Sequence, residues 1–363
     1  MKFSTNRLLR LFFFTALLSL FLHAQGQPPA GYYDNAVGKQ GLALQIALHN
    51  IIKGHTSVSY SSLHTYFQST DKKPNGKVWD MYSDVPGGTP PYQFTFISDK
   101  CGTYSQEGDC YNREHSFPQS WFGKQSPMKS DLFHVYPTDG YVNGKRSSYP
   151  YGEVGNAVWT SQNGSKLGPC TAPGYSGTVF EPIDEYKGDF ARTYFYMAVR
   201  YYSEDSGWQN NAAVNGSQPK AWFLNMLYQW NLQDTVSQKE IDRNNAVFNI
   251  QHNRNPFIDR PDWVDSLWFP TTSNKGTSKT SLSLSVFPNP ATDICNILIF
   301  NSKADNKFDI KIYDISGRLI KTETSTQERL IKINMSVLEP GIYFITLENR
   351  EQGIFKKLKI IKQ

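Results

Sequence analysis

The amino-acid composition changes abruptly at one place along the chain, and this change limits the folds that the chain can adopt. Residues 271–281 contain Thr, Ser, Asn, Lys and Gly but no aliphatic side chain. Such a composition is typical of a linker rather than of a packed element. Because 363 residues exceed the size of one usual hydrophobic core, we predict two domains, residues 25–270 and 282–363, joined by this linker.

The first residues have the pattern of an export signal. Lys2, Arg7 and Arg10 precede an apolar stretch at residues 11–22, which is followed by the small residue Ala24. This stretch is shorter than the roughly 18 residues that a membrane-spanning helix needs. We therefore predict a signal peptide at residues 1–24 and a protein that passes through the periplasm to the exterior or the cell surface, without stable membrane insertion.

Net charge does not by itself indicate the function. The formal net charge is +5, but residues 25–270 hold slightly more Asp and Glu than Lys and Arg. Bulk electrostatics therefore do not indicate a nucleic-acid-binding protein. Around residues 113–146, however, positive residues outnumber acidic ones, which permits a local basic cleft. These positive residues are Arg113, Lys124, Lys129, Lys145 and Arg146.

Hydrophobic periodicity assigns the two domains to different classes. Helical spacing of apolar residues predicts helices at residues 32–53, 61–67, 190–202, 219–232 and 238–252, and alternation predicts a strand at 92–97. Short β-type runs separated by turn signals predict that the second domain is a small all-β sandwich. Its runs are residues 282–287, 294–300, 308–315, 330–333, 341–347 and 354–361. The predicted fold class is α+β, a mixed helical domain followed by the sandwich.

Four cysteines are present in this exported chain, which permits disulfides. Cys101 and Cys110 are close enough in sequence to close a small loop, and Cys170 could pair across the fold. No CxxC motif occurs, so the sequence does not indicate a structural zinc site.

A carboxylate and an imidazole are neighbours at Glu114 and His115. In a regular strand their side chains would point to opposite faces. Pro118 lacks an N–H group and restricts Phe117, so we expect the strand to break there and the pair to be directed at one site. An oxygen ligand for a divalent cation beside a base that titrates near neutral pH can activate water for attack on a phosphodiester.

A second segment, residues 131–143, supplies a second metal ligand for such a site. Residues 131–137 have the pattern of a strand that ends at Pro137, and Thr138 is a suitable N-cap for a helix that carries Asn143. Mg²⁺ binds few protein oxygens and keeps several waters, so Glu114 and the amide oxygen of Asn143 would suffice. Strand, loop, strand and helix in this order predict a ββα-metal finger.

Four ordered motifs of the first domain resemble the endonuclease I family of exported, sequence-nonspecific nucleases. They are KVWDMYSD at residues 77–84, REH at 113–115, VNGKRS at 142–147 and NRNPFID at 253–259, within a match that spans residues 31–269. The resemblance implies that Glu114 and Asn143 bind the metal, which would be Mg²⁺, with Mn²⁺ or Ca²⁺ as alternatives. It also implies that His115 is the general base.

The family also has an arginine that stabilises the phosphate, and the resemblance does not decide which residue this is. Arg146 and Arg254 are both candidates, and Arg254 could equally hold the turn at residues 255–256. Many relatives read Asp-Leu-His-Asn-Leu where this chain has DLFHV at 131–135. His134 therefore has no matching position and is expected to be packed or to act through another residue.

The resemblance implies a secreted endonuclease that hydrolyses DNA, and RNA as well, with one metal and His115 as the base. It would act as a monomer, without sequence specificity, and leave 5′-phosphates. The alternative is a surface-displayed nucleic-acid-binding or adhesion protein on a nuclease scaffold without turnover. The presence of Glu114, His115 and Asn143 favours the enzyme.

Three motifs of the second domain resemble the type IX secretion C-terminal sorting domain. They are LSVFPNPA at residues 284–291, YDISGR at 313–318 and PGIYF at 340–344, and a basic-aliphatic run follows at 356–362. A carbohydrate-binding or adhesive sandwich is the alternative. The resemblance implies passage across the outer membrane by the type IX secretion machinery.

Overall fold

The structure, a computed structural model, divides the chain into two units. Of the residues that the structure describes, the first unit contains 27–38, 45–171 and 177–261, and the second contains 39–44, 172–176 and those from 262 onward. The predicted signal peptide and linker lie outside the described residues. Those residues are 27–269, 283–287, 290–300, 307–325, 330–349 and 354–363. Within these ranges, no helix is both long enough and apolar enough to cross a bilayer.

Helices form most of the regular structure up to residue 268. They are α1 (Gly41–Ile52), α2 (Leu63–Thr70), α3 (Gly140–Arg146), α4 (Lys187–Arg200), α5 (Ala221–Gln233), α6 (Gln238–Gln251), α7 (Pro256–Asp259) and α8 (Trp263–Trp268). Short 3₁₀ turns occur at Asp34–Ala36, Tyr60–Ser62, Gln119–Phe122, Met128–Ser130 and Asp184–Tyr186. A helix therefore lies in each region where periodicity predicts one.

The helix ends differ from the predicted ones for local reasons. The first helix begins at residue 41 rather than 32, because Gly38 adopts a positive φ angle of 74° and interrupts helical geometry after the 3₁₀ turn at Asp34–Ala36. Helix α6 begins where a capping box forms. The Ser237 hydroxyl accepts a hydrogen bond from the Glu240 N–H at 3.3 Å, and the Glu240 carboxylate accepts one from the Ser237 N–H at 2.9 Å.

The strands of the first unit are short and antiparallel. Strand β1 (Tyr111–His115) pairs with β2 (Val135–Asp139). A three-stranded sheet contains β3 (Trp159–Thr160), β4 (Lys166–Pro169) and β5 (Thr178–Glu181), and β6 (Val214–Asn215) pairs with β7 (Gln218–Pro219).

The strand predicted at residues 92–97 is wrong. The Thr95 N–H donates to the Asp99 carboxylate at 2.6 Å, and the Asp99 N–H donates back to the Thr95 carbonyl at 3.2 Å. Ile97 within this turn has a left-handed φ of 68°. Alternating side chains therefore mark a side-chain-stabilised turn here, not a strand.

The predicted disulfide between Cys101 and Cys110 is present and lies just before β1. The Cys110 carbonyl accepts a hydrogen bond from the Gly140 N–H at 2.9 Å, which joins this loop to the start of α3. Within the loop, the Tyr104 ring lies so close to α3 that a Cβ atom on Gly140 would be 2.5 Å from Tyr104 Cδ1. The close approach of loop and helix requires glycine at position 140.

The C-terminal part of the second unit is all β. Its strands are β8 (Ser283–Phe287), β9 (Ile294–Phe300), β10 (Phe308–Asp314), β11 (Leu319–Ser325), β12 (Leu330–Asn334), β13 (Gly341–Asn349) and β14 (Ile354–Lys362). They form antiparallel sheets in the orders β11-β10-β13-β14 and β12-β9-β8. Both sheets contribute to one core that includes Ile297, Ile310, Ile333 and Ile345. Periodicity did not predict β11, because its charged and threonine residues obscure the alternation.

Asp131, in the loop between β1 and β2, connects that loop to two helices of the first unit. It is 1 % exposed. Its Oδ2 accepts hydrogen bonds from the hydroxyls of Tyr196 and Tyr201, both at 2.8 Å, and its Oδ1 accepts from Gln251 Nε2 at 3.0 Å. Tyr196 lies on α4 and Gln251 ends α6, so one carboxylate holds the loop against both elements.

The pKa of Asp131 reflects these contacts. Burial alone would raise the pKa, but the nearby His55 and His134 and the hydrogen bonds from Gln251 and Phe133 outweigh burial and lower it to about 2. Because this lies below the ordinary value of 3.8, the ionised carboxylate stabilises the fold above pH 3.8. That stabilisation is lost as the pH falls toward 2.

We expect Asp131→Asn to lower the free energy of unfolding at pH 7 by at least about 2 kcal/mol, since one pKa unit corresponds to about 1.4 kcal/mol. The difference from wild type should shrink as the pH falls from 4 to about 2. Urea unfolding followed by circular dichroism at several pH values measures both. The exposed Asp242→Asn serves as the control, and an equal, pH-independent loss in both variants would contradict the role of Asp131.

Candidate active site

The predicted site residues lie on a strand, strand and helix that follow one another closely. In the antiparallel pair of β1 and β2, Glu114 is opposite Tyr136 and His115 is opposite Val135. Helix α3 follows β2 directly and carries Asn143 and Arg146. The three elements therefore bring residues from positions 114–115 and 143–146 into one region.

Two details of this arrangement differ from the prediction. The second strand does not end at Pro137 but continues to Asp139, because β1 and β2 form a two-stranded ribbon in which a missing N–H can face away from the partner. Thr138 is not the N-cap of α3. Asp139 is, since its Oδ1 accepts a hydrogen bond from the Val142 N–H at 2.8 Å.

Glu114 is held in the interior, with an exposed fraction of 1 %. Its Oε1 accepts hydrogen bonds from the Tyr82 hydroxyl at 2.8 Å and from Arg146 Nη1 at 3.0 Å. Burial raises the pKa of this carboxyl above its ordinary value, and the opposing effects of Arg146 and Tyr82 offset this only in part. The charge of Arg146 thus compensates a carboxylate that would otherwise be costly to bury.

His115 has one ring nitrogen fixed by the main chain. Its Nε2 lies 3.0 Å from the Lys129 carbonyl oxygen, and because a carbonyl can only accept, Nε2 carries the proton. In the neutral ring Nδ1 is then the acceptor. The pKa of His115 is lowered to about 3, mainly by burial and also by the nearby His134. The imidazole is therefore neutral at ordinary pH, because burial disfavours its protonated form.

Asn143 is also oriented by a hydrogen bond to a main-chain carbonyl. Its Nδ2 donates to the Arg113 carbonyl oxygen at 3.3 Å. The amide nitrogen is thus used within the protein, which leaves Oδ1 as the atom suited to an external cation. The side chain is half-buried.

Arg146 links the two residues of the Glu-His pair. It is 1 % exposed, and its Nη1 donates both to Glu114 Oε1 and, at 2.8 Å, to the His115 carbonyl oxygen. Its Nη2 donates to the Ser116 carbonyl at 2.6 Å. The guanidinium also lies over the Tyr151 ring, with Cζ 4.6 Å from the ring centroid. These contacts hold the end of β1 to α3 and occupy both terminal nitrogens.

Arg254 lies in a different set of contacts. Its Nε and Nη2 bind the two carboxylate oxygens of Asp259 at 2.7 and 2.8 Å, and its Nη1 donates to Asn245 Oδ1 at 2.9 Å. The side chain is therefore used to hold the segment after α6 to α7. The structure does not bring Arg254 into contact with Glu114, His115 or Asn143.

The side chains of Glu114 and His115 contact different neighbours. Glu114 faces Tyr82 and Arg146, whereas the His115 ring stacks on Tyr60 at a centroid distance of 6.0 Å and an interplanar angle of 26°. Both residues lie within β1, so the alternation of a regular strand persists up to His115. The expected reorientation of the pair at Pro118 is not seen, so a site that uses both residues must draw on both faces of β1.

Several residues of this region carried no signal in the sequence. Tyr82 lies in the KVWDMYSD motif, but nothing in that motif indicates a hydrogen bond to Glu114. The contacts of Tyr60 and of the Lys129 carbonyl with His115 depend on loop conformation. His134 is fully buried, donates from Nε2 to the Met128 carbonyl at 2.6 Å and packs 5.6 Å from His115, as expected for a packed histidine.

A metal site here would use few protein ligands. Among the described residues, no group of three or more His, Cys, Asp and Glu side chains is arranged to hold a metal ion. The predicted donors, one carboxylate and one amide oxygen, are ligands that Mg²⁺ accepts when it keeps several waters. The residues present therefore fit a hard divalent cation better than zinc.

Comparison with known proteins identifies both parts of the chain. The endonuclease I family model matches residues 40–262, and the model of the secretion system C-terminal sorting domain matches residues 285–362. The type IX sorting domain marks a protein that is secreted or held at the cell surface.

Curated relatives are nucleases. The chain is 38% identical over 249 residues to an extracellular ribonuclease of Bacillus amyloliquefaciens, covering 65% of this chain and 78% of the relative. It is 29% identical over 136 residues to endonuclease-1 of Buchnera aphidicola, covering 37% and 46%. It is 25% identical over 135 residues to a periplasmic deoxyribonuclease of Aeromonas hydrophila, covering 37% and 48%. The chain belongs to the endonuclease I family and is a nuclease with a C-terminal type IX sorting domain.

Proposed function

We propose that this protein is a sequence-nonspecific endonuclease that hydrolyses DNA and RNA with one divalent metal ion and His115 as the general base. The observation that carries the proposal is the hydrogen bond from His115 Nε2 to the Lys129 carbonyl. It selects the tautomer in which Nδ1 can take a proton from water. The strand–strand–helix order of β1, β2 and α3 is consistent with a ββα-metal finger.

Glu114 and Asn143 are the residues we propose to hold the metal, with Mg²⁺ as the physiological ion. Support comes from the donor set, a buried carboxylate and an amide whose nitrogen is already bonded to Arg113. A divalent cation bound there would supply charge stabilisation to the phosphate in the transition state. Mn²⁺ and Ca²⁺ accept the same oxygen ligands.

The side chains have separate roles in the proposed reaction. His115 Nδ1 accepts the proton of the attacking water, and its ring is held for this by the Lys129 carbonyl and by stacking on Tyr60. Arg146 acts through Glu114 and the β1 backbone, since its terminal nitrogens are bonded there. Cleavage at the 3′ oxygen would leave 5′-phosphates, as the family resemblance implies.

The proposed substrates follow from the relatives. Relatives include an extracellular ribonuclease and a periplasmic deoxyribonuclease, which supports activity on both nucleic acids. We expect the secreted protein to cleave plasmid DNA and single-stranded RNA with Mg²⁺ and to stop when EDTA is added. Mapping of product ends should find 5′-phosphates, and 5′-hydroxyl ends would contradict the proposed bond cleavage.

Substitution of the proposed base is the central test. We expect His115→Asn to lower kcat by about 100-fold or more, since general-base catalysis contributes about 10²–10⁴-fold. The matched control is His252→Asn, because His252 is exposed and has a left-handed φ of 61° that asparagine tolerates. Cleavage rates on plasmid DNA measure both variants. A His115→Asn rate equal to that of His252→Asn would exclude His115 as the base.

The metal assignment predicts a change in binding that does not depend on turnover. We expect Glu114→Gln and Asn143→Ala to weaken Mn²⁺ binding by more than about tenfold, because each removes one of few protein oxygens or its charge. Electron paramagnetic resonance of free Mn²⁺ measures the affinity. Glu185→Gln, at an exposed carboxylate, is the control. Unchanged affinity in both site variants, each folded by circular dichroism, would refute the ligand set.

A further inference from the structure

Arg113 differs from other arginines of the first unit in its charge environment. Its guanidinium forms no ion pair with a carboxylate in the part of the chain that the structure describes. Other arginines nearby are neutralised within the protein. The pairs are Arg146 with Glu114, Arg192 with Glu240, Arg200 with Glu204, Arg243 with Asp71 and Arg254 with Asp259.

The Arg113 side chain shares an aromatic ring with a second cation. Its Cζ lies 4.0 Å from the centroid of the Tyr60 ring, and Lys129 Nζ lies 4.6 Å from the same centroid. Arg113 Nη1 also donates to the Tyr60 carbonyl at 3.3 Å, whereas its buried Nε lacks a hydrogen-bond partner among the described residues. All three side chains are partly exposed, so an external ligand can approach them.

This group lies next to the proposed catalytic residues. Strand alternation places Arg113 and His115 on the same face of β1, and the Tyr60 ring stacks on the His115 ring. The Arg113 carbonyl accepts the hydrogen bond of Asn143, and the Lys129 carbonyl accepts that of His115. The main chain of Arg113 thus positions Asn143, and the main chain of Lys129 positions His115.

The positive charges of Arg113 and Lys129 lie against the same Tyr60 ring and repel each other, and a nearby anion would offset this repulsion. Cation–π contact with Tyr60 offsets part of this repulsion, but the described residues provide no carboxylate that pairs with Arg113 or Lys129. A phosphate has the charge to satisfy both cations, and a guanidinium binds it through two parallel N–H groups. Phosphate contacts of this type carry no sequence information.

We propose that Arg113 and Lys129, held on the ring of Tyr60, bind backbone phosphates of the nucleic-acid substrate beside His115. The inference rests on the proposed function for the class of substrate. It assigns phosphate binding to residues that are not ion-paired, in place of Arg146 and Arg254, whose guanidinium groups are paired with Glu114 and Asp259.

Salt dependence of binding tests this assignment without turnover. We measure fluorescence anisotropy of a short labelled single-stranded DNA in EDTA over a range of salt concentrations. Loss of one phosphate contact should lower the slope of log K against log[salt] by about 0.7. We expect this change for Arg113→Gln and for Lys129→Gln, with about tenfold weaker binding, equal for two DNAs of unrelated sequence. Arg113→Lys should retain the wild-type slope.

The control is Lys53→Gln, which removes the same charge at an exposed position at the end of α1. It should leave the slope unchanged. Circular dichroism and thermal unfolding establish that each variant is folded, and if Arg113→Gln is not, Lys129→Gln alone decides. If both variants fold and both show the wild-type slope, the proposal is overturned. If Arg113→Gln does not fold, a wild-type slope in folded Lys129→Gln overturns it.

The binding assay also separates this proposal from the proposed function. If His115→Asn cleaves like wild type while the slopes change as expected, the catalytic assignment fails and the phosphate assignment stands. If His115→Asn is inactive and the slopes do not change, the phosphate assignment fails and the catalytic one stands.

Discussion

The buried ion pair between Arg146 and Glu114 is the interaction on which the geometry of the site depends. Burying either charge alone would cost several kcal/mol, so removal of one side chain would leave the other as an uncompensated buried charge. Arg146 also bonds the carbonyl groups of His115 and Ser116, which attaches the last turn of α3 to the end of β1. Asn143 lies on the same short helix, and its position relative to β1 is therefore set by the same contact.

The two faces of β1 carry different electrostatics. On one face Glu114 accepts hydrogen bonds from Tyr82 and Arg146, and the guanidinium offsets part of the cost of burying its charge. On the other face His115 and Arg113 contact Tyr60 and Lys129, and no carboxylate of the described residues forms an ion pair with Arg113 or Lys129 there. Hydrogen bonds through the main chain join the faces, since Arg146 and Asn143 both reach carbonyl groups of β1. A slightly acidic domain can thus present a locally positive surface.

Sequence reasoning predicted most of the fold, and the residues that it assigned to the site remain a prediction. Periodicity located the main helices and all C-terminal strands except β11, and the family resemblance of both parts is confirmed by the matches. It could not predict the turn at residues 95–99 or the cap at Asp139, because both depend on which side-chain oxygen reaches a backbone N–H. Arg146 illustrates the same limit. Its type and position suggested a phosphate contact, whereas its hydrogen-bond partners became apparent only in three dimensions.

The acceptors that orient His115 and Asn143 are main-chain carbonyls of Lys129 and Arg113. Every amino acid has such a carbonyl, so the tautomer of the base is encoded by the path of the loop and not by the identity of residue 129. The same holds for the amide of Asn143 and residue 113. The side chains at these two positions take no part in these two hydrogen bonds. Substitution at positions 113 and 129 can therefore change the charge of this surface while both hydrogen bonds to the main chain are kept.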